Sequence, residues 1–240
     1  MRVTGPSRGE GEWQGWAVTG SMPGSSDQMV AQGAEIAFEG GPVADAVFVV
    51  DGWIILAKSL GDGKSLTVDL LLPGDAVHLR MASGDRSLFD VRSLTPARFL
   101  LVPEADESPH HDAVAAGLRV GDAAARARRA ERMVRLGWAP ADTRIAYLLI
   151  ELGLRAEAAG LRGGLRRLHL PLTQAQLGEM AGLSAVHVCR TMHALSDAGL
   201  IGGTCLSRLD IPRLTRLARL ADVDIDELRA RILPRVEPKG

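Results

Sequence analysis

Residues 172–201 read LTQAQLGEMAGLSAVHVCRTMHALSDAGLI. Two short apolar periodicities meet at Gly182, and their reading decides the fold of the second half of the chain. Thr173 is a strong N-cap residue, and Gln176 stands three positions later, where a capping box is closed. Leu177 and Met180 supply an apolar face. Gly182 ends this helix, and Ser184 caps the next after a turn of the length that helix-turn-helix units use. In the second helix Val188, Met192 and Leu195 face inward, and Gly199 stops the helix. Ala185, Val186, Cys189 and Arg190 then lie on the open side of its first two turns. LIGGTCLSRLDI (200–211) reads as a short hairpin, a wing. PRLTRLARLADVDIDELRARIL (212–233) reads as a closing helix pair.

A recognition helix puts its N-terminal side chains on base edges in the major groove while the preceding helix crosses the backbone. In that geometry Arg190 pairs bidentately with guanine, and Ala185, Val186 and Cys189 offer small or apolar contacts to neighbouring bases. Thr173, Gln174, Ser184, His187 and His193 are polar donors suited to phosphates. The competing structural reading is a plain helical hairpin with a surface arginine.

The rest of the chain bounds this reading. Its 240 residues, 46% of them hydrophobic, fit one large or two medium domains. No apolar run approaches the roughly 20 residues of a membrane span. The opening MRVTGPSRGEGEWQGW lacks the apolar core of a secretory leader. Cys189 and Cys205 alone make neither a disulfide framework nor a zinc site, so a reducing cytoplasm is expected, with no metal. Residues 1–107 carry 8 Lys/Arg against 15 Asp/Glu, and residues 108–240 carry 20 against 14. An acidic half joined to a basic half implies that only the second meets a polyanion.

Residues 1–28, rich in Gly, Ser and Pro, read as a flexible tail whose Trp13 and Trp16 dock on the body. Residues 29–107 read as strands. In AVFVVDGWIILAKSLGDGKSLTVDLLLPGDAVHL (46–79), GDGK (61–64) suits a hairpin and PGD (73–75) marks the next turn. DVRSLTPARFLLV (90–102) reads as a further strand pair, and the whole as a small barrel or jelly roll. Asp62, Asp69 and Asp75 read as solvated turn residues.

Residues 108–137 form a helical segment. Val114, Leu118, Gly121, Ala125, then Arg132 or Met133, and Leu136 make a stripe at spacings of three and four. Its average is the period of a helix–helix seam, which points to dimerisation; packing on the chain's own β domain is the alternative. Trp138-Ala139-Pro140 breaks the helix. Residues 138–240 follow as a winged helix domain. It opens with a helix over 141–158 whose apolar face is Ile145, Leu148, Leu149 and Leu152, and GLRGGLRR (160–167) reads as a loop.

LPLTQAQLGEMAGLSAVHVCRTMHALSDAGLI (170–201) closely resembles the DNA-binding segment of the Crp/Fnr family, the cyclic-AMP receptor protein and its relatives. ADTRIAYLLIELGLR (141–155) resembles the family helix leading into that segment, and residues 51–79 resemble its β-roll. The resemblance implies an α+β fold: an N-terminal cyclic-nucleotide-binding-like β-roll, a long dimerisation helix and a C-terminal winged helix-turn-helix. It implies a homodimeric transcription regulator that binds a two-fold site on double-stranded DNA, with RNA polymerase as a further partner and no membrane. It also implies a base-reading role for Arg190.

The departures are informative. Cyclic-AMP-binding members hold the phosphate in a "GE" plus "R-[ST]-A" cassette. None of Arg80, Arg86, Arg92 or Arg98 sits in such a cassette, so the signal at the β-roll is expected not to be cyclic AMP. Iron–sulfur members use N-terminal cysteines, and none precedes Cys189. His78 stands near the position of a haem ligand in a carbon-monoxide-sensing relative, which leaves haem as the one cofactor reading, against an ordinary surface histidine. LGDGKS (60–65) lacks the first glycine of a phosphate-binding loop, because Lys58 occupies that position. No nucleophile, base and orienting group stand together, so no enzyme is expected. Beside the DNA-binding reading stand two others: a haem- or small-molecule sensor in which the β-roll carries the main activity, and a protein-interaction scaffold.

Overall fold

The computed structural model describes residues 25–43, 46–61, 63–81, 84, 86–102 and 111–234, with the backbone alone for 111–115. Eight strands build the first half: β1 (Ser26–Val30), β2 (Glu35–Ala37), β3 (Ala46–Asp51), β4 (Ile54–Ser59), β5 (Ser65–Leu71), β6 (Ala76–His78), β7 (Asp90–Ser93) and β8 (Ala97–Val102). They form two antiparallel sheets, ordered β1-β8-β3-β6 and β2-β7-β4-β5. Val47, Val49, Ile54, Leu56, Leu71, Val77, Leu79, Val91 and Phe99 fill the space between them. The GDGK turn closes the β4–β5 hairpin, where the Leu60 amide donates to the Lys64 carbonyl at 2.7 Å. The PGD turn instead carries the chain from one sheet to the other. DVRSLTPARFLLV is likewise not a paired hairpin, since β7 and β8 lie in opposite sheets. The tail ends earlier than expected: Ser26–Gln28 belong to β1, which pairs with β8 from Ser26–Leu101 to Val30–Ala97. Trp13 and Trp16 lie outside the described residues.

The second half holds α1 (His111–Trp138), α2 (Ala141–Ala158), β9 (Arg167–Leu168), α3 (Gln174–Ala181), α4 (Ala185–Asp197), β10 (Leu209–Asp210), α5 (Leu214–Leu220) and α6 (Ile225–Ile232). Helix α2 is buried on all sides from Ile145 to Ala156, more than the one face its sequence pattern marks. The reason is a single core that runs from Trp53, Ile55, Leu70 and Leu72 on the outer face of the second sheet, through α2, to Leu177, Val188 and Met192. The loop 160–167 leads into β9, which pairs with β10 and so joins the wing, itself closed by the Gly202–Asp210 bridge.

The expected dimer stripe is divided. Leu118 packs beside Ala46, Leu100 and Val102 of the chain's own first sheet, and Ala125 is fully buried. Gly121 lies so close to β6 that a Cβ there would stand 2.5 Å from the Ala76 carbonyl oxygen. Small residues do permit a close approach here, but to the chain's own roll. Gly121 and Ala125 are therefore not available to a second copy. Met133 remains 72% exposed and Leu136 41%. The side chain of Val114 lies outside the described residues. The face left open runs through Arg119, Ala123, Arg126, Ala130, Met133 and Gly137. That face also has the three-four spacing of a helix seam.

Asp69 and Asp75 are not solvated. Both are buried where β5, α1 and α2 meet. Arg132 of α1 approaches Asp69 at 3.0 Å, and its Nε donates to Glu151 of α2 at 2.8 Å. Arg155 of α2 donates to Asp75 at 2.7 Å and to Glu151 at 3.2 Å. Arg128 of α1 reaches Asp75 at 3.3 Å. Burial alone would raise the pKa of Asp69, but the guanidiniums of Arg132, Arg128, Arg155 and Arg129 outweigh it and hold the carboxyl well below the usual range. Burial likewise opposes the charge on Asp75, and Arg128 and Arg155 reverse the effect. Asp62 lies outside the described residues.

A depressed folded-state pKa means that the unfolded chain binds protons more readily than the folded one. The stabilisation is complete above the ordinary aspartate value of about 4 and is lost as pH falls below it. Equilibrium unfolding followed by circular dichroism should show stability declining progressively below about pH 4. Asp69→Asn should lower stability by about 3–5 kcal/mol at neutral pH, because it strands buried arginine charge, and should flatten that acid slope. A neutral-pH stability equal to wild type would contradict the cluster.

Candidate nucleic-acid interface

The helix-turn-helix is built as its sequence dictates. The Thr173 hydroxyl accepts from the Gln176 amide at 3.2 Å, and the Gln176 side chain accepts from the Thr173 amide at 2.9 Å. Gly182 caps α3 at φ 64°, a left-handed conformation that glycine adopts without strain. The Leu183 amide then donates back to the Gly178 carbonyl at 2.8 Å. Ser184 caps α4 by accepting from the His187 amide at 3.3 Å. Val188, Thr191, Met192 and Leu195 are buried. Gly178, which the sequence pattern did not single out, sets the helix spacing: a Cβ there would meet the Leu183 carbonyl oxygen at 2.5 Å.

This packing turns one side of α4 outward. Ser184, Ala185, Val186, His187, Arg190 and His193 are exposed, with Val186 at 66%. Cys189 is half-buried between them. Arg190 has no carboxylate within salt-bridge distance among the described residues, so its guanidinium is free for an outside partner. The expected backbone-contacting residues divide by what already holds them. Thr173 and Ser184 use their hydroxyls as caps and remain exposed at two helix N-termini, where amides and helix dipoles favour anions. His193 bonds through Nδ1 to the Cys189 carbonyl at 2.8 Å, which directs Nε2 away from the helix backbone. Gln174 donates to the Thr204 carbonyl at 3.4 Å and so ties α3 to the wing.

The wing stands against this surface. Gly202 bridges to Asp210, the Leu170 amide donates to Leu206, and Arg167 pairs with Asp210 at 3.0 Å. Arg208 is exposed beside it. Cys205, also in the wing, has its thiol pKa lowered by hydrogen bonds from the Ser207 hydroxyl and amide. His78 sits elsewhere, on the exposed end of β6, where its Nδ1 faces the Asp122 carboxylate of α1. That pairing fastens β6 to α1. The interior of the roll beneath it is filled with aliphatic and aromatic side chains, and among the described residues no three His, Cys, Asp or Glu side chains converge as a metal site would need.

Residues 143–220 match a family described as the Crp-like helix-turn-helix domain. The chain is 29% identical over 180 residues to the nitrogen fixation regulation protein FixK of Bradyrhizobium diazoefficiens, covering 71% of this chain and 72% of that protein. It is 26% identical over 197 residues to the protein of the same name from Azorhizobium caulinodans, covering 79% and 77%. The structure of FixK2 from Bradyrhizobium japonicum superposes with a TM-score of 0.68 at 23% identity, over 82% of this chain and 96% of that one; at this identity the likeness establishes the fold. No described helix is long and apolar enough to cross a membrane. With the two-sheet roll, the helix behind it and the capped helix-turn-helix in place, residues 143–220 form a Crp-like helix-turn-helix domain, in a chain similar in sequence to the FixK regulators and in fold to FixK2.

Proposed function

We propose that this chain acts as a homodimer that reads a two-fold DNA site through α4. The observation that carries the reading is the outward side of α4, capped at Ser184 and presenting an unpaired Arg190. Arg190 reads a guanine through its planar fork, Ala185 and Val186 make apolar contacts such as to a thymine methyl, and Cys189 fills the space beside them. Thr173, Ser184, His187 and His193 hold phosphates, with Gln174 supporting the wing. A positive balance in residues 108–240 favours the polyanion, and the acidic roll stays clear of it.

Two copies meet along α1. The seam is the open face through Ala123, Ala130 and Met133, the last 72% exposed, with the exposed Trp138 beside its end. A two-fold arrangement places the recognition helices one helical turn apart, about 34 Å. The roll answers to a signal other than cyclic AMP. It lacks the phosphate cassette, and two of its arginines are already engaged, Arg98 with Asp27 and Arg86 with the Gly40 carbonyl. The activity is regulatory rather than enzymatic, and its setting is the cytoplasm.

Three measurements follow from this reading. In titrations against single-base variants of a selected site, Arg190→Ala should cost about 1–3 kcal/mol and relax preference at one guanine per half-site. Arg190→Lys should not restore it, since lysine lacks the fork. Equal weakening on all sequences would make Arg190 a phosphate clamp instead. Sedimentation at micromolar concentration should give a dimer, and Met133→Glu should shift it toward monomer; a monomeric wild type would sink the seam. Calorimetry with cyclic AMP should show no binding in the micromolar range.

A further inference from the structure

Strand β5 is the edge of its sheet, yet it is not bare. Between the Leu56–Asp69 and Ala57–Thr67 pairs the register with β4 shifts, leaving Val68 as an extra residue on β5. Side chains of the helical half cover this irregular edge. Arg132 donates to the Val68 carbonyl at 3.1 Å, and Arg155 donates to the Leu70 carbonyl. Thr67 does something different. Its amide and its hydroxyl both donate to Oε2 of Glu179, at 2.9 and 2.6 Å.

Glu179 belongs to α3, the first helix of the helix-turn-helix. Its own carbonyl accepts from Gly182, the residue that ends α3. Thr67 is buried at 4% exposure, and Glu179 is half-buried against it. The arginine contacts to β5 reach it from α1 and α2, whereas the two Thr67 bonds join the roll directly to the reading unit. Both bonds end on one carboxylate oxygen, the charge-assisted type that holds a geometry firmly. The reading side of α4 remains exposed with this contact made, so the contact holds α3 and α4 in a DNA-accessible arrangement.

We propose that Thr67 and Glu179 form a positioning latch, through which the β4–β5 hairpin of the roll sets the orientation of the helix-turn-helix for DNA. The inference rests on the DNA-binding reading above. Glu179 is a positioning residue, not a DNA contact. When the latch is open, α3 and α4 sample more orientations, and only a fraction of them meets two successive major grooves in a dimer. Apparent affinity falls by that fraction.

The sign of the effect separates this from simple electrostatics. Removing a negative charge from a DNA-binding domain strengthens binding to a polyanion. The latch predicts the opposite for Glu179→Ala. The test is a titration of the full chain on its selected DNA site at several salt concentrations, alongside amide hydrogen exchange of the DNA-free protein. Thr67→Val and Glu179→Ala should each weaken binding about tenfold, the scale of a charged hydrogen bond, with base preference unchanged. For the charge-neutral Thr67→Val the salt slope should also stay the same. The double variant should be no weaker than the singles. Thr67→Ser, which keeps the hydroxyl, should bind as wild type does. Exchange should rise in α3 for Thr67→Val and Glu179→Ala. Affinity for Glu179→Ala equal to or above wild type would overturn the latch, as would strict additivity in the double variant. A wild-type chain without sequence-specific binding would overturn the DNA-binding reading itself, and the positioning role with it.

Discussion

The buried charge of Asp69 ties strand β5 of the roll to helices α1 and α2. A carboxylate in the middle of a strand, fully buried, cannot keep its charge unless cations come to it. Arg132 and Arg128 come from α1 and Arg155 from α2. Those arginines need further acceptors of their own, which Glu151 and Asp75 supply. Strand β5 and the two consecutive helices α1 and α2, which follow it far along the chain, are thereby held to one geometry. Such a cluster is a weak net source of stability, because desolvation offsets much of the attraction. Its contribution here is orientation. The first helix of the DNA-binding half cannot tilt away from the roll without leaving buried charge unmatched.

The apolar contacts act in the same direction. One face of the second sheet belongs to the core of the helical half, and the other face belongs to the roll. Leu70 and Leu72 serve the first and Leu71 the second, so β5 is shared by both halves. Helix α1 closes the other side by resting on β6 through Gly121 and through the pairing of His78 with Asp122. The recognition helix is consequently part of a continuous body, joined to the roll through α2, α3 and β5. A change in the roll that moves β5 has a physical route to α4.

The parts of this fold governed by local rules were legible in the sequence. Capping at Thr173, Gln176 and Ser184, the glycine stop at Gly182 and the GDGK hairpin each follow from short-range chemistry, and the structure contains them. The strand content of the roll was legible too, but not its pairing, since DVRSLTPARFLLV looks like a hairpin and is a crossing between sheets. What failed were inferences about which surface a residue meets. Asp69 and Asp75 looked like turn residues because their arginine partners lie some 50 to 90 positions away in the chain. Gly121 and Ala125 had the spacing of a seam, and periodicity does not say whose surface the seam contacts. The latch residues Thr67 and Glu179 carried no signal, being an ordinary strand threonine and an ordinary helix glutamate.

The central claim is that α4 reads bases in the major groove at two symmetric positions. Guanine N7 methylation interference on a site selected from random DNA tests it most directly, because N7 lies in the major groove and accepts from a reading arginine. Two interfering guanines related by a two-fold axis are expected, with their half-sites about 34 Å apart along the duplex. Tight binding indifferent to methylation, or interference confined to one position, would contradict it.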